Sequence, residues 1–115
     1  MEKFVSELFW LRDCAHVTHL STTSFAEHKT LNKFYDSLLD LTDTFSETWQ
    51  GKYGRLTISS VLAVQTKQST ELCNELWQLA NSAEKELLKE DTDLLNIVAD
   101  MKGLSNRTKY LLTLK

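Results

Sequence analysis

The spacing of apolar residues along the chain predicts a first helix from about Lys3 to Leu20. Apolar residues recur there at steps of three and four and form one stripe, which consists of Phe4, Leu8, Leu11 and Ala15. A second band lies beside the stripe and consists of Val5, Phe9, His16 and Leu20. We interpret the two bands as two covered sides, one against the core and the other against a partner subunit.

A second helix is predicted over residues 25–50. Ser24 followed by Glu27 has the sequence of a capping box, in which the serine oxygen accepts the N–H three residues on. Gly51 and Gly54 are expected to end the helix. Its inward positions are Leu31, Phe34, Leu38, Leu41, Phe45 and Trp49. The short polar connection before Ser24 predicts that the first two helices form an antiparallel hairpin.

The second half of the chain predicts two further long helices. Residues 56–64 are apolar and partly β-branched, and we expect a helical turn, a short helix or the start of a longer one there. Ser69 or Thr70 is expected to cap a helix that runs to about Lys89. Residues 91–93 are expected to cap the last helix, whose apolar positions include Leu94, Val98, Met101 and Leu111.

Composition agrees with this all-α interpretation. Proline is absent and there are three glycines, whereas the many turns of a β protein usually draw on both residues. A chain of 115 residues has room for one core, so a single four-helix-bundle domain is predicted over residues 1–115. Cys14 and Cys73 are expected to be reduced, as in a cytoplasmic protein.

Net charge and hydropathy argue against two classes of partner, nucleic acids and membranes. The net charge of −3 argues against a nucleic-acid coat, since phosphate binding depends on Lys and Arg. No apolar run reaches the roughly 18 residues that would span a membrane, and the acidic start does not resemble a signal peptide. We therefore expect a cytoplasmic location, with neither nucleic acid nor membrane as a partner.

One face of the second helix carries a row of acidic residues at steps of four, three and four: Asp36, Asp40, Asp43 and Glu47. At about 100° per residue, this face lies nearly opposite the apolar stripe, so it is expected outside the core. A solvated acidic face is one interpretation. A metal site is the other, because carboxylate oxygens together with nearby neutral imidazoles, from His16 and His28, suit first-row transition metals such as iron.

One chain alone cannot bring these ligands to one metal ion. His28 and Asp43 lie about 22 Å apart along the helix axis, at about 1.5 Å per residue. A two-fold axis that pairs the second helix with its antiparallel copy would bring His16 and His28 of one chain toward Asp43 and Glu47 of the other. The predicted site is therefore shared across a dimer interface of the common closed type.

The same positions resemble the motif of the Dps proteins, ferritin-like mini-ferritins that protect DNA during starvation. His16 is followed by His28 after 12 residues, by Asp43 after 15 more and by Glu47 after 4 more, and these are the intervals of that family. The resemblance implies a shortened ferritin-like four-helix bundle, iron bound by these four residues, oxidation of Fe(II) and often a twelve-subunit shell. Compact ferritin-like proteins of tailed phages are similar to the chain as well, which would place it in a host cytoplasm.

Two functions follow from these observations. The first is iron binding, with Zn or Mn as alternative metals, at a site formed by His16, His28, Asp43 and Glu47, with Fe(II) oxidation as an implied activity. The second is a non-enzymatic oligomeric binding protein of phage type, which sequesters a small molecule or inhibits a host protein and keeps a vestigial metal site. Both expect at least a homodimer, because the second apolar band of the first helix would be costly to expose.

Overall fold

The computed structural model describes residues 1–59 and 62–115, and within these residues it contains four α-helices and no strand. The helices are α1 (Glu2–Ser21), α2 (Phe25–Tyr53), α3 (Ser69–Glu86) and α4 (Thr92–Leu111). The prediction of an all-α four-helix bundle is therefore confirmed. The predicted limits of α1 and α2 lie within three residues of the observed ones.

The bundle consists of two antiparallel helix hairpins, α1–α2 and α3–α4. α1 packs on α2 and α3, and α4 packs on α3 and α2, so the helices lie at the corners of a square. Phe4 shares a surface depression with Ala83, which places the start of α1 beside the end of α3. We call the opposite end, which holds the α1–α2 turn, the start of α3 and the end of α4, the turn end.

The core follows the predicted stripes. Leu8, Leu11 and Ala15 of α1 are fully buried, and Phe4 meets Phe45 of α2 edge to face at 5.1 Å between ring centroids. The other fully buried α2 positions are Leu31, Phe34 and Leu38, while Leu41 and Trp49 are half-buried against them.

The second apolar band of α1 is mostly covered by its own chain. Val5 is fully buried and Phe9 packs against the core. Leu20 is exposed, and Phe9 keeps part of its surface accessible, so a partner could cover only these two apolar members of the band. The band therefore does not carry the argument for a partner subunit that the sequence suggested.

Both ends of α2 are formed as the sequence predicts. The Ser24 hydroxyl accepts a hydrogen bond from the Glu27 N–H at 3.2 Å, as a capping box requires. Gly54 ends the helix with φ of 105°, a value that favours glycine, and its N–H bonds to the Gln50 carbonyl. Gly51 lies inside the last turn instead of ending it.

The predicted cap of α3 is wrong, and the predicted cap of α4 is correct in position but lacks the capping bond. α3 is capped at Gln68, whose side chain makes no cap hydrogen bond, so Ser69 already lies within the helix. Asp91 occupies the N-cap position of α4, but its carboxylate makes no capping bond to α4. The carboxylate accepts from the Leu88 N–H at 2.9 Å and from the Tyr53 hydroxyl at 2.6 Å, and this contact joins the two hairpins.

The helix predicted over residues 56–64 is wrong for the positions that the structure describes. Residues 55–59 and 63–68 have no regular secondary structure, and the predicted positions 60 and 61 lie outside the described residues. The described residues of this segment lie along the outside of α1, between the end of α2 and the start of α3. We call its described residues, 55–59 and 62–68, the strap.

Two further findings complete the fold. In the described part of the chain, no helix is both long and apolar enough to cross a membrane. Cys14 and Cys73 are buried free thiols, in agreement with the expected reduced state. Burial raises the pKa of the Cys73 thiol to about 11, so this sulfur is held as an unreactive thiol in the core.

Candidate functional site

The three histidines of the chain lie together at the turn end of the α1–α2 hairpin. His16 and His19 occupy the last turns of α1, and His28 lies in the first turn of α2. The capped turn between the helices reverses the chain within a few residues, so the start of α2 faces the end of α1. As a result, the His16 and His19 rings lie 5.9 Å apart, and the His19 and His28 rings lie 3.6 Å apart.

His19 and His28 form a reciprocal pair. The Nδ1 atom of His19 lies 2.6 Å from the His28 carbonyl oxygen, and the Nδ1 atom of His28 lies 2.9 Å from the His19 carbonyl oxygen. A carbonyl oxygen only accepts, so each Nδ1 must carry a hydrogen and donate it. The two rings stack within 17° of parallel. This pair joins the end of α1 to the start of α2. The Nε2 atoms of the two rings take no part in the two reciprocal bonds.

His16 belongs to an aromatic contact with Tyr35 of α2. The two rings stack with their centroids 4.3 Å apart. The Arg12 guanidinium lies 5.0 Å from the centroid of the Tyr35 ring and forms a cation–π contact with it. The Tyr35 hydroxyl donates to the Asn32 side chain at 2.8 Å, and Asn32 donates in turn to Asp36 at 3.1 Å. These contacts account for His16 and Asp36 as parts of a packed polar surface.

The predicted metal ligands do not converge within one chain. His16 and His28 lie at the turn end, whereas Asp43 and Glu47 are exposed farther along α2. Asp43 lies about 22 Å from His28 along the helix axis. Across residues 1–59 and 62–115, no group of three or more His, Cys, Asp or Glu side chains is placed to hold a metal ion. A site completed by a two-fold partner is not tested by a single chain and stays a prediction.

The charges around the histidines favour an anionic neighbour over a cation. His19 and His28 line a shallow depression together with Lys29 and Lys33. Two ammonium groups on the wall raise the free energy of placing a divalent cation there, since like charges repel. A metal at His28 would therefore need the carboxylates of another chain to compensate.

The strap is held by a row of side chains on α1 that sequence reasoning missed. The N–H groups of Thr57 and Ser59 donate to the side chains of Glu2 and Ser6, and the N–H of Lys67 donates to the Thr18 hydroxyl. The Trp10 indole donates to the Ala63 carbonyl at 2.9 Å. The anchors on α1 are Glu2, Ser6, Trp10 and Thr18.

The spacing of these anchors matches the strap in part. The α1 anchors occur at steps of four, four and eight residues, and the strap positions that they hold, 57, 59, 63 and 67, occur at steps of two, four and four. Four residues of helix advance about 6 Å, and two residues of extended chain advance about 6.6 Å, so the first and the last steps match in length and the middle one does not. The signal in the sequence was a row of hydrogen-bonding side chains at steps of four and eight along one side of α1.

The strap presents apolar side chains to solvent on its other side. The bonded strap positions named above are odd-numbered, while the exposed large apolar residues are even-numbered. Those residues are Ile58, Leu62 and Val64, with 43%, 57% and 48% of their surfaces exposed. We call these three side chains the strap row. The anchored backbone beside them holds these side chains on the surface of the bundle.

Comparison with known proteins gives a family and a phage relative. The model of a family of unknown function, DUF5856, matches residues 19–112. The chain is similar to an "Uncharacterized 14.6 kDa protein in mobD-ri intergenic region" of Enterobacteria phage T4, with 28% identity over 102 residues. That alignment covers 87% of this chain and 77% of the phage protein. No solved structure is significantly similar to the chain.

These matches correct the resemblance to the Dps proteins, which is wrong. The family model spans His19 to Leu112, the region that held most of the resemblance, and it is not a ferritin or Dps family. Of the four residues that carried the resemblance, His16 and His28 are half-buried in contacts of the hairpin, whereas Asp43 and Glu47 are exposed. Bundles of this connectivity also serve unrelated functions, so the fold does not restore the iron chemistry.

Proposed function

The chain belongs to DUF5856, and we propose that it is a non-enzymatic binding protein of phage type that self-associates through the strap row. The observation that carries the proposal is the outward placement of Ile58, Leu62 and Val64 on an anchored segment. The phage T4 relative supports the phage context. A binding role fits this surface because its chemistry is apolar contact, with no nucleophile or acid–base pair among its members.

Exposure of the strap row has a free-energy cost that association would remove. Burial of apolar surface contributes about 25 cal/mol per Å², and side chains such as leucine or isoleucine each contribute about 1.5–3 kcal/mol when fully buried. Isolated exposed apolar residues are ordinary, so the case for an interface depends on the occurrence of three of them between positions 58 and 64 of one anchored segment. The row therefore favours a bound state of this face.

The strap is also held in place before any partner arrives. Its contacts with Ser6, Trp10 and Thr18 fix the backbone along α1, and the Lys67 ammonium lies 5.4 Å from the Trp10 ring and 3.0 Å from the Glu75 carboxylate. A surface ordered in advance loses less conformational entropy on binding. The helix scaffold thus supports the strap as a presented face.

A second copy of the chain is the partner to which the proposal commits. Every copy carries the same strap row, so a two-fold pairing of two rows would cover both at once in a closed dimer. An isologous contact of this kind also ends with two chains, and it does not require the acidic row of α2. The small-molecule or host-protein target of the assembled protein is a separate property.

Light scattering and sedimentation at micromolar concentration test the self-association. The parent chain is expected at twice its 13.3 kDa mass or above. The triple variant Ile58→Ser, Leu62→Ser, Val64→Ser is expected at the monomer mass with unchanged helix content, because none of the three is a core residue.

A matched variant separates the strap row from apolar exposure in general. Leu88 and Tyr110 are 59% and 61% exposed and lie outside the strap, so Leu88→Ser with Tyr110→Ser should leave the oligomer intact. A parent chain that stays monomeric throughout the micromolar range contradicts the proposal. A strap variant that remains oligomeric would place the interface elsewhere on the molecule.

A further inference from the structure

The depression beside the histidine pair lies at the turn end, where α2 begins and α4 ends. His19 of α1 and Leu111 of α4 line it, and the rest of its wall comes from positions 28–33 of α2. Its volume is about 600 Å³, within the range of about 300–1,000 Å³ that is usual for ligand pockets. The strap row is not part of this wall, so the depression is separate from the surface proposed for self-association.

The wall carries positive charge without a matching carboxylate. Lys29 and Lys33 lie four residues apart on α2, so their side chains leave the same face of the helix. Both residues are exposed, and no ion pair among the described residues involves either of them. None of the described residues that line the depression is an Asp or a Glu. Two unneutralised ammonium groups therefore favour an anion here, although the net charge of the chain is −3.

The fixed parts of the wall decide where the anion would lie. The His28 ring is held by its bond to the His19 carbonyl and by its stack on the His19 ring, so this side is ordered before a ligand arrives. Asn32 donates to the Asp36 carboxylate at 3.1 Å, and that carboxylate opposes an anion at its end of the depression. A negative group is therefore best placed toward Lys29 and the start of α2.

An exposed aromatic ring beside the depression gives an independent indication of a ligand. Phe25 has 74% of its surface exposed and precedes Lys29 by four residues, so the ring and the two lysines follow one another at steps of four. The Lys29 ammonium lies 5.8 Å from the Phe25 ring centroid, and the Phe25 and His28 rings lie within 26° of parallel. Proteins bind nucleic acid bases and their phosphates with this combination, because the ring stacks on the base while the cation pairs with the phosphate.

We propose that this depression binds an aromatic phosphate ester, the class to which nucleotides belong, with its phosphate between Lys29 and Lys33 and its aromatic group stacked on Phe25. The Thr30 hydroxyl lies in the same wall and is a further donor to the phosphate. A bare oxyanion would use the lysines alone, and a neutral aromatic molecule would use the phenylalanine alone. A ligand that carries both groups accounts for the whole row.

NMR titration of the full-length chain tests the proposal with three probes: adenosine 5′-monophosphate (AMP), adenosine and inorganic phosphate. Each is added at neutral pH and constant ionic strength up to about 5 mM, which detects dissociation constants in the millimolar range. AMP is expected to shift the amides of residues 25–33 with saturation. Adenosine and inorganic phosphate each offer one of the two groups, so they should shift the same amides less at equal concentration.

Substitution of the lysines tests the phosphate contact. Lys29→Gln with Lys33→Gln is expected to weaken AMP binding about tenfold or more, because it removes charge-assisted contacts with the phosphate. The matched control is Lys85→Gln with Lys89→Gln, which removes two exposed charges at the same spacing near the other end of the bundle. Distant exposed charges are screened by salt, so the control should bind AMP within about twofold of the parent.

Substitution of the phenylalanine tests the aromatic contact. Phe25→Leu keeps an apolar side chain but removes the aromatic face, so it should weaken AMP binding about fivefold and leave phosphate binding unchanged. The side chains replaced in these variants are exposed, so helix content and melting temperature should match those of the parent. The triple strap variant should bind AMP like the parent, which separates this test from the test of self-association.

Four results would overturn the proposal. AMP at 5 mM that shifts none of the amides of residues 25–33 excludes the site. A Lys29–Lys33 variant that binds AMP as tightly as the parent excludes the phosphate contact, and an equal loss in the control pair shows attraction to overall charge only. Unchanged AMP affinity in Phe25→Leu excludes the aromatic contact and with it the ligand class.

Discussion

His28→Gln should destabilise the bundle, and His28→Asn should do so about half as much. The difference follows from the reciprocal pair, in which the His28 Nδ1 donates to the His19 carbonyl oxygen at 2.9 Å. The amide nitrogen of asparagine can occupy the place of Nδ1, whereas that of glutamine lies one bond farther from the backbone. The two variants therefore separate the hydrogen bond from the loss of the ring.

The magnitudes can be worked from two contacts. Loss of the hydrogen bond to the His19 carbonyl costs about 1 kcal/mol, and loss of the ring stacked at 3.6 Å on His19 costs about 1 kcal/mol more. His28→Gln loses both contacts, for a total of about 2 kcal/mol. At about 2.1 cal/mol/K per residue, a chain of 115 residues would melt about 8 °C lower. His28→Asn loses the stack alone and would melt about 4 °C lower.

Thermal and urea unfolding followed by circular dichroism measure both variants. A double-mutant cycle with His19→Ala adds a second check, because residues in direct contact should show a coupling of about 0.5 kcal/mol or more. Equal losses in His28→Asn and His28→Gln would refute the role of the Nδ1 bond. Additive losses in the cycle would refute the pair as a unit.

Two further predictions concern acidic residues. Asp91→Asn should lower the free energy of unfolding at neutral pH, because hydrogen bonds from Lys52 and Tyr53 lower the pKa of Asp91 from 3.8 to about 2. The stabilisation by the Asp91 carboxylate is therefore complete above pH 3.8 and is lost as the pH falls to 2. Urea unfolding of parent and variant should converge at that pH. For the shared metal site, the carboxylate variant is Asp43→Asn with Glu47→Gln, and the histidine variant is His16→Ala with His28→Ala. Calorimetry with Fe(II) or Zn should detect binding by the parent, no binding by either variant, and partial recovery when the two variants are mixed. A carboxylate variant that binds metal as tightly as the parent contradicts the shared site.

The helices were predictable because their signals are local and repeated. Apolar steps of three and four from Phe4 to Ala15 fix one buried face of α1, and a capping box at Ser24 fixes the start of α2. Gly54 provides a backbone conformation that other residues rarely adopt. Each signal lies within one or two turns of the structure that it determines, so no tertiary information is needed.

The strap was not predictable in the same way. Residues 56–59 and 62–64 are compatible with a helix by composition, and the sequence near them contains no strong breaker after Gly54. Their irregular form is held by anchors more than fifty residues away, such as Ser6 for Ser59 and Trp10 for Ala63. Tertiary hydrogen bonds of this kind override weak local preference.

The arrangement of the histidines was also predictable only in part. The sequence indicated that the hairpin would bring histidines to one end, and the structure places all three there. It could not indicate that His19, and not His16, would pair with His28, because a difference of three residues on α1 is one turn. It also assigned the cap of α3 to Ser69 or Thr70, whereas the N-cap residue is Gln68 and the Ser69 hydroxyl has no hydrogen-bond partner among the described residues.

Lys67 joins the end of the strap to both α1 and α3. Its N–H donates to the Thr18 hydroxyl, which fixes the last residues of the strap, and its ammonium pairs with Glu75 of α3 at 3.0 Å. One residue therefore holds the last residues of the strap between the two helices. The strap row lies before this residue in the chain, and none of its three side chains takes part in either contact. Substitution of the row should therefore change association while the strap stays attached to the bundle.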